Sequence, residues 1–189
     1  MRPRPRVATA LGCALVAALA PRAAEAHPQW TVNATAGVGR ALGPPEVREW
    51  RFTLGLRTDV TFGRRTPYAP RVGPWLAFRA DDFARVSLAA GALVQLPVSP
   101  TFPVVASLGA AAETAGGAPR GGAVARLWWG TRTLNYHRTY GMSFGVWAEA
   151  RYFPATGAMA SGGDVVLGVD FDMAFASIPV VMLYEWIRR

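Results

Sequence analysis

The chain has 189 residues, of which 51% are apolar and 17% charged, and its formal net charge is +8. This length suits a single domain, and the apolar content excludes a disordered or collagen-like chain. One cysteine excludes an internal disulfide framework and a zinc site built from several cysteines.

Residues 1–26 have the order of features that is typical of a secretory signal peptide. Arginines near the start precede an apolar run at residues 7–20, and residues 24–26 form an A-x-A cleavage site. The apolar run is shorter than a typical transmembrane helix. We therefore predict export and cleavage before His27, which also removes the only cysteine, Cys13.

Apolar and polar residues alternate through most of residues 27–176 with a period of two, which is typical of β-strands. Over residues 50–62, for example, the even positions are mostly bulky and apolar, whereas the odd positions carry charges, Thr and Gly. A strand places these two sets on opposite faces. Eight such segments are separated by turn signals, among them residues 64–71, 116–122 and 154–163. The predicted fold of residues 27–176 is therefore an all-β, antiparallel, eight-stranded up-and-down β-barrel.

The polar faces of the predicted strands carry equal numbers of arginines and carboxylates. They are Glu49, Arg51, Arg57, Asp59, Arg79, Asp81, Arg85, Glu113, Arg126, Arg132, Glu149, Arg151, Asp170 and Asp172. Charges inside a narrow barrel need partners because an unpaired buried charge is costly. Equal numbers are what an ion-paired interior requires. We therefore predict a transmembrane barrel whose apolar face meets lipid and whose lumen holds this charge network.

Bulky aromatic residues lie near the ends of the predicted apolar face, as in the girdles of membrane barrels. They are Trp30, Trp50, Phe62, Phe102 and Tyr152. Three further tryptophans, Trp75, Trp128 and Trp147, fall on the polar face. Because eight strands leave only enough interior space for side chains, we expect no open pore.

A soluble barrel of the lipocalin type is the main alternative to the membrane barrel. It would bind an apolar ligand inside, expose its charged face to water, and be periplasmic or secreted. Ala and Gly are numerous, which would leave such a ligand core poorly filled, so the composition favours the membrane barrel.

The strand number, the export signal and the alternation resemble the small outer-membrane barrels of the OmpA/OmpX type. In the last predicted strand, Gly168, Phe171 and Met173 partly match the Gly-x-x-Φ-x-Φ assembly signal of such proteins, and Val166 stands where a polar residue is usual. The resemblance implies a Gram-negative outer-membrane location, contact with outer-membrane lipid and insertion by the barrel-assembly machinery. Small members of the group are structural anchors, adhesins or lipid-modifying enzymes, and the fold does not choose among these roles.

Residues 177–189 break the strand alternation. Ser177 is a suitable N-cap with Pro179 in the first turn after it, and Trp186 with Arg188 suits a membrane interface. We predict a short helical tail after the barrel.

The residues outside the signal peptide offer little catalytic chemistry. A terminal His27 and His137 are the only residues for a copper site. His137, Ser143 and Glu149 are the residue types of a hydrolase resembling barrel-borne lipid A deacylases, but those use a His-x-Ser pair and residue 139 is Thr. We predict no enzymatic activity, cofactor or metal site, with a deacylase-like hydrolase as the alternative. The arginines form no basic stripe for nucleic acid.

Overall fold

The barrel is formed by strands that follow one another along the chain. The computed structural model describes residues 28–42, 49–64, 66, 68–115, 118–133, 141–155 and 160–188. The elements are β1 (Gln29–Leu42), β2 (Trp50–Thr61), β3 (Arg71–Asp81), β4 (Arg85–Leu96), β5 (Val104–Ala115), β6 (Ala118–Arg132), β7 (Ser143–Phe153), β8 (Gly162–Asp172) and a helix, α1 (Met173–Arg188). The predicted signal peptide lies outside the described residues and stays a prediction.

Each strand pairs antiparallel with the next, and β8 pairs with β1 to close the barrel. The predicted eight-stranded, antiparallel, up-and-down barrel is therefore confirmed. Closure gives every strand two hydrogen-bonded neighbours, so the sheet has no free edge. The strands have 11 to 15 residues, which is long for globular proteins.

The two faces of the barrel wall have opposite chemistry. Along the described strands, the outward side chains are almost all apolar, and Arg40 near the end of β1 is the one outward charge. The inward face carries charged, Gly, Ser, Thr and Trp side chains. Because a one-residue slip would exchange the two faces, this alternation fixes the register of every strand.

Two ends of the barrel are distinguished by their connections. The terminal end is where β1 begins and β8 ends, and the distal end carries the β1–β2, β3–β4, β5–β6 and β7–β8 connections. The β3–β4 connection is tight, since Asp82 and Phe83 adopt positive φ angles of 50° and 56°. Asp82 also hydrogen-bonds through its backbone N–H and its side chain to the backbone of Phe52, which fixes this turn against β2.

The chain leaves the barrel earlier than the sequence pattern indicates. A helical tail is present, but it begins at Met173, so the predicted boundary between residues 176 and 177 is wrong. Asp172 Oδ1 accepts a hydrogen bond from the Ala174 N–H at 2.7 Å, so Asp172 provides the cap that was predicted for Ser177. Met173 and Phe175 continue the apolar alternation of the preceding strand. The hydrogen bond from Ala174 to Asp172 instead caps a helix that begins at Met173. No helix among the described residues is long and apolar enough to cross a membrane.

Candidate functional site: the charged interior of the barrel

Most of the predicted charge network lies inside the barrel. Buried, with at most 7% of their surface exposed, are Arg51, Arg57, Asp59, Arg79, Asp81, Glu113, Arg126, Arg132, Glu149, Arg151, Asp170 and Asp172. Arg85 is partly exposed at the distal end. The prediction for Glu49 is wrong: this residue precedes β2 and is exposed at the mouth, because the strand begins only at Trp50.

The distal half of the lumen holds one continuous set of ion pairs, which we call the distal cluster. Its members are Arg51, Arg79, Asp81, Glu113, Arg120, Glu149, Arg151 and Asp164. Arg151 lies at its centre: Nη2 donates to Asp81 Oδ2 at 2.7 Å and to Asp164 Oδ2 at 2.6 Å. Its Nε donates to Asp164 Oδ1 at 3.0 Å and its Nη1 to Ser87 Oγ at 2.9 Å. Every nitrogen of this guanidinium therefore has an acceptor.

Asp164 also accepts hydrogen bonds from two further arginines, which lie on other strands. Arg79 Nη2 donates to Asp164 Oδ2 at 3.3 Å, and Arg51 Nη1 donates to the same oxygen at 3.4 Å. Arg79 also donates to Asp81 Oδ1 at 2.5 Å and to Glu149 Oε1 at 2.9 Å. A single carboxylate on β8 thus connects arginines of β2, β3 and β7 across the lumen.

The terminal half of the lumen holds a second set, which we call the terminal cluster: Arg57, Asp59, Arg126, Arg132 and Asp170. Asp59 accepts from Arg57 Nε at 2.8 Å and from Arg132 Nη2 at 2.6 Å. Arg126 Nη2 donates to Asp170 Oδ2 at 2.5 Å. These buried pairs are charge-assisted hydrogen bonds, which are stronger than neutral ones.

The three predicted inward tryptophans fill space among these charges and are each at most 5% exposed. Each has an arginine over its ring, with centroid distances of 4.5 Å for Arg57 on Trp75, 4.3 Å for Arg126 on Trp147 and 5.5 Å for Arg132 on Trp128. The rings lie against glycines: a Cβ at Gly168 would clash with the Trp147 ring, and one at Gly109 would be 2.7 Å from Trp75. Cation–π contacts of this kind are favourable when desolvated.

Little empty space remains between the two clusters. A cavity of about 20 Å³ is lined by Thr35, Ala77, Phe78, Arg79, Ser87, Ala89, Arg126, Trp147, Glu149 and Arg151. This volume is enough for roughly one water molecule. Arg126 Nη1 also lies 3.8 Å from Glu149 Oε2, which links the terminal cluster to the distal cluster at this level.

Three charged interior residues were missed because they lie at strand ends next to or within predicted turns. They are Arg71 in β3, Arg120 in β6 and Asp164 in β8. Arg71 is buried and its Nη2 donates to the backbone oxygen of Arg64 at 3.0 Å, and Arg120 pairs with Glu113. The sequence signal that identifies them is the alternation itself, because inward residues of one strand are all even-numbered or all odd-numbered. Asp164, for example, is even-numbered like the inward residues Asp170 and Asp172 of the same strand.

The two described residues of the hydrolase alternative, Ser143 and Glu149, lie far apart. Ser143 and Glu149 lie six positions apart on β7, which is about 20 Å along a strand. Ser143 Oγ is buried and donates to Asn33 Oδ1 at 2.9 Å. His27 and His137 lie outside the described residues. Within the ranges that the structure covers, no group of three or more His, Cys, Asp and Glu is placed to hold a metal ion.

The similarity of this chain to known proteins is limited to the fold. No family model matches the chain, and no curated protein matches it. Neisserial surface protein A is 13% identical, with a TM-score of 0.43 over 75% of this chain and 96% of that one. The Yersinia pestis outer membrane protein Ail is 10% identical, with a TM-score of 0.36 over 76% and 99%. A de novo designed transmembrane β-barrel is 13% identical, with a TM-score of 0.41 over 75% and 94%. Small barrels of this kind are the class that the sequence resembles.

Proposed function

We propose that the chain is an outer-membrane β-barrel protein with a structural or interaction role and a closed, charge-paired lumen. The observation that carries this proposal is the inverted polarity of the barrel wall. Leu108 and Leu167 face outward and are 69% and 64% exposed, whereas Arg151 and Asp164 face inward and are almost completely buried. Lipid is the solvent that suits the outside, and ion pairing suits the inside.

In water, the outer wall would be a continuous apolar band around the whole molecule. Monomeric soluble proteins rarely expose apolar patches larger than a few hundred Å². In a bilayer, the same band is favourable, and the closed ladder leaves no strand edge unpaired in the hydrocarbon. Strands of 11 or more residues also meet the length needed to cross at a tilt.

Exposed aromatic residues lie at both ends of this band and support a membrane with two interfaces. Those at the terminal end include Trp30, Phe62, Phe102, Trp129, Phe144 and Phe171, and those at the distal end are Trp50, Phe52, Phe83 and Tyr152. We call these sets the terminal girdle and the distal girdle. Trp and Tyr favour the boundary between headgroups and acyl chains because one end of each ring is polar.

The interior argues for an anchor or interaction role over transport. The two clusters and the tryptophans occupy the lumen, and the cavity between them holds about one water. The same filling is unsuited to the apolar ligand of a lipocalin-type barrel. A partner would therefore meet the outer wall or the loops, where binding residues are commonly placed.

Fractionation of the full chain in a Gram-negative host tests this proposal. We expect the protein in detergent-extracted outer membranes, and we expect unheated samples to migrate differently from boiled samples on an SDS gel because the closed barrel resists detergent. N-terminal sequencing of the membrane form is expected to begin at His27. Release as a soluble periplasmic protein would contradict the proposal.

Insertion by the barrel-assembly machinery is part of the same proposal. Gly168 and Phe171 lie in β8, but Met173 is the first residue of α1, so the last apolar position of the assembly pattern lies outside the strand. We expect depletion of the machinery to reduce the heat-sensitive folded form. A folded yield unchanged by depletion would argue against this route.

A further inference from the structure

The helix α1 is an apolar element that the barrel leaves uncovered. Its described contacts with the barrel are chiefly with β1 and β8, next to the point where it begins. Met182, Leu183, Trp186 and Ile187 are all exposed, and Trp186 and Ile187 reach 77% and 70%. A helix of 16 residues extends about 24 Å, so most of α1 projects away from the strands.

The charged residues of α1, Glu185 and Arg188, lie in its last turn. At about 100° per residue, Glu185 and Arg188 lie about 60° apart around the helix axis. Trp186 falls on the other side, within about 20° of Phe175. A helix that is apolar over most of its surface, with its charged residues confined to the last turn, suits a location in a membrane interface.

The start of α1 places this helix at the level of the terminal girdle. Phe171 is the last outward residue of β8 and belongs to that girdle, and α1 begins two residues later at Met173. Trp30, on the neighbouring β1, is also in the girdle. If the girdle marks the boundary of the hydrocarbon, the helix leaves the barrel at that boundary.

The charge of α1 indicates which headgroups it meets. Residues 185–189 carry two arginines, Arg188 and Arg189, against one side-chain carboxylate, Glu185, so the side chains of this segment are net cationic. Basic residues at a membrane surface are attracted to anionic lipids.

We propose that α1 is an interfacial anchor, which lies on the bilayer beside the terminal end of the barrel with its exposed apolar side chains in the acyl boundary and the basic side chains at its C-terminal end against anionic phospholipid headgroups. This inference rests on the proposed membrane location. A lipid surface, and not a second protein, is the occupant that explains the exposed apolar side chains of α1, its position at the girdle and the basic side chains of residues 188 and 189 together.

Site-specific fluorescence of the full chain in vesicles tests this anchor. In a Cys13→Ser background, which removes the single cysteine, an environment-sensitive dye is attached to Trp186→Cys, Glu185→Cys, Leu108→Cys or Thr101→Cys. The vesicles contain phosphatidylcholine and phosphatidylglycerol, with nitroxide quenchers at shallow or deep positions. Leu108 reports the belt of the barrel, and Thr101, exposed in the β4–β5 connection, reports water at the terminal end.

We expect the dye at residue 186 to be shifted to shorter wavelength and quenched by the shallow nitroxide more strongly than the dye at residue 185, whereas the dye at residue 101 stays in water. A dye at 186 that resembles the one at 101 would overturn the anchor. A blue-shifted dye at 186 that no lipid nitroxide quenches would also overturn it, since a protein surface would then cover α1. In either case, quenching of the dye at residue 108 by the deep nitroxide would leave the proposed function intact. The absence of that quenching would refute both the anchor and the proposed membrane barrel.

The headgroup assignment has its own test. Arg188→Glu is expected to lower shallow quenching at residue 186 in vesicles with phosphatidylglycerol and to leave it unchanged in pure phosphatidylcholine. Equal quenching before and after the substitution in anionic vesicles would overturn the assignment of anionic lipid.

Discussion

Replacing Asp164 by Asn tests whether the distal cluster holds the barrel together. The carboxylate accepts from Arg151 at 2.6 and 3.0 Å, from Arg79 at 3.3 Å and from Arg51 at 3.4 Å. Asn keeps the volume but removes the charge, which leaves arginines of three strands short of their shared partner. Breaking a buried ion pair by removing one partner costs about 3–5 kcal/mol, so we expect the free energy of unfolding to fall by about that amount.

The matched control is Glu49→Gln, which removes a carboxylate that is exposed at the mouth. A surface substitution of this kind changes stability by about 0.5 kcal/mol or less. Urea unfolding of barrels in vesicles, followed by tryptophan fluorescence and by heat-dependent gel migration, measures both variants. Because Arg51 makes the longest contact, Arg51→Gln is expected to cost less than Arg151→Gln. If Asp164→Asn costs no more than Glu49→Gln, water screens the lumen and the ion-pair reasoning is refuted.

Three further predictions concern the wall and the lumen. Leu108→Arg, at the middle of β5, is expected to lower the unfolding free energy by about 2–4 kcal/mol, whereas Leu42→Arg, at the end of β1, costs about 0–1 kcal/mol; equal costs in vesicle unfolding would contradict a membrane-spanning belt. Gly168→Ala places a Cβ in steric conflict with the backbone oxygen of Ala36 and with the Trp147 ring, so the same unfolding assay is expected to give a loss of about 1–3 kcal/mol, against almost none for Gly121→Ala, where an added Cβ meets no atom within 4 Å. The unaltered protein in planar bilayers is expected to give no stable ion conductance, and discrete channel openings would refute a closed lumen.

Parity in the sequence predicts which residues face the lumen, because strand geometry is local. Arg126 and Glu149, for example, follow the alternation of their own strands without knowledge of any other strand. The partner of each charge depends on register and closure, which are not local. Arg126 is directly opposite Glu149 on the neighbouring strand, whereas Arg79 reaches Glu149 across the lumen, 70 positions away in the chain.

The errors of prediction occur at strand ends, where two local signals compete. Gly162 and Gly163 read as turn residues, yet both pair with β7 and extend β8 to include Asp164. At the other end of β8, Met173 continues the apolar alternation but begins a helix, because the side chain of Asp172 accepts from the Ala174 N–H. Turn composition and alternation are both weak at such positions, and tertiary pairing decides between them.

Arginines and carboxylates are equally numerous in the deeply buried part of the lumen, as predicted, but not at the two mouths of the barrel. Asp164 adds a carboxylate, but Arg71 and Arg120 add two arginines and Glu49 is lost to the surface. The excess of arginine lies where water has access: Arg85 is partly exposed at the distal end and makes no ion pair with any described residue. Desolvation is what makes an unpaired charge costly, so pairing is needed only at the levels that water does not reach. Whether a charge in the lumen needs a partner therefore depends on its depth, and not on the total numbers of arginines and carboxylates.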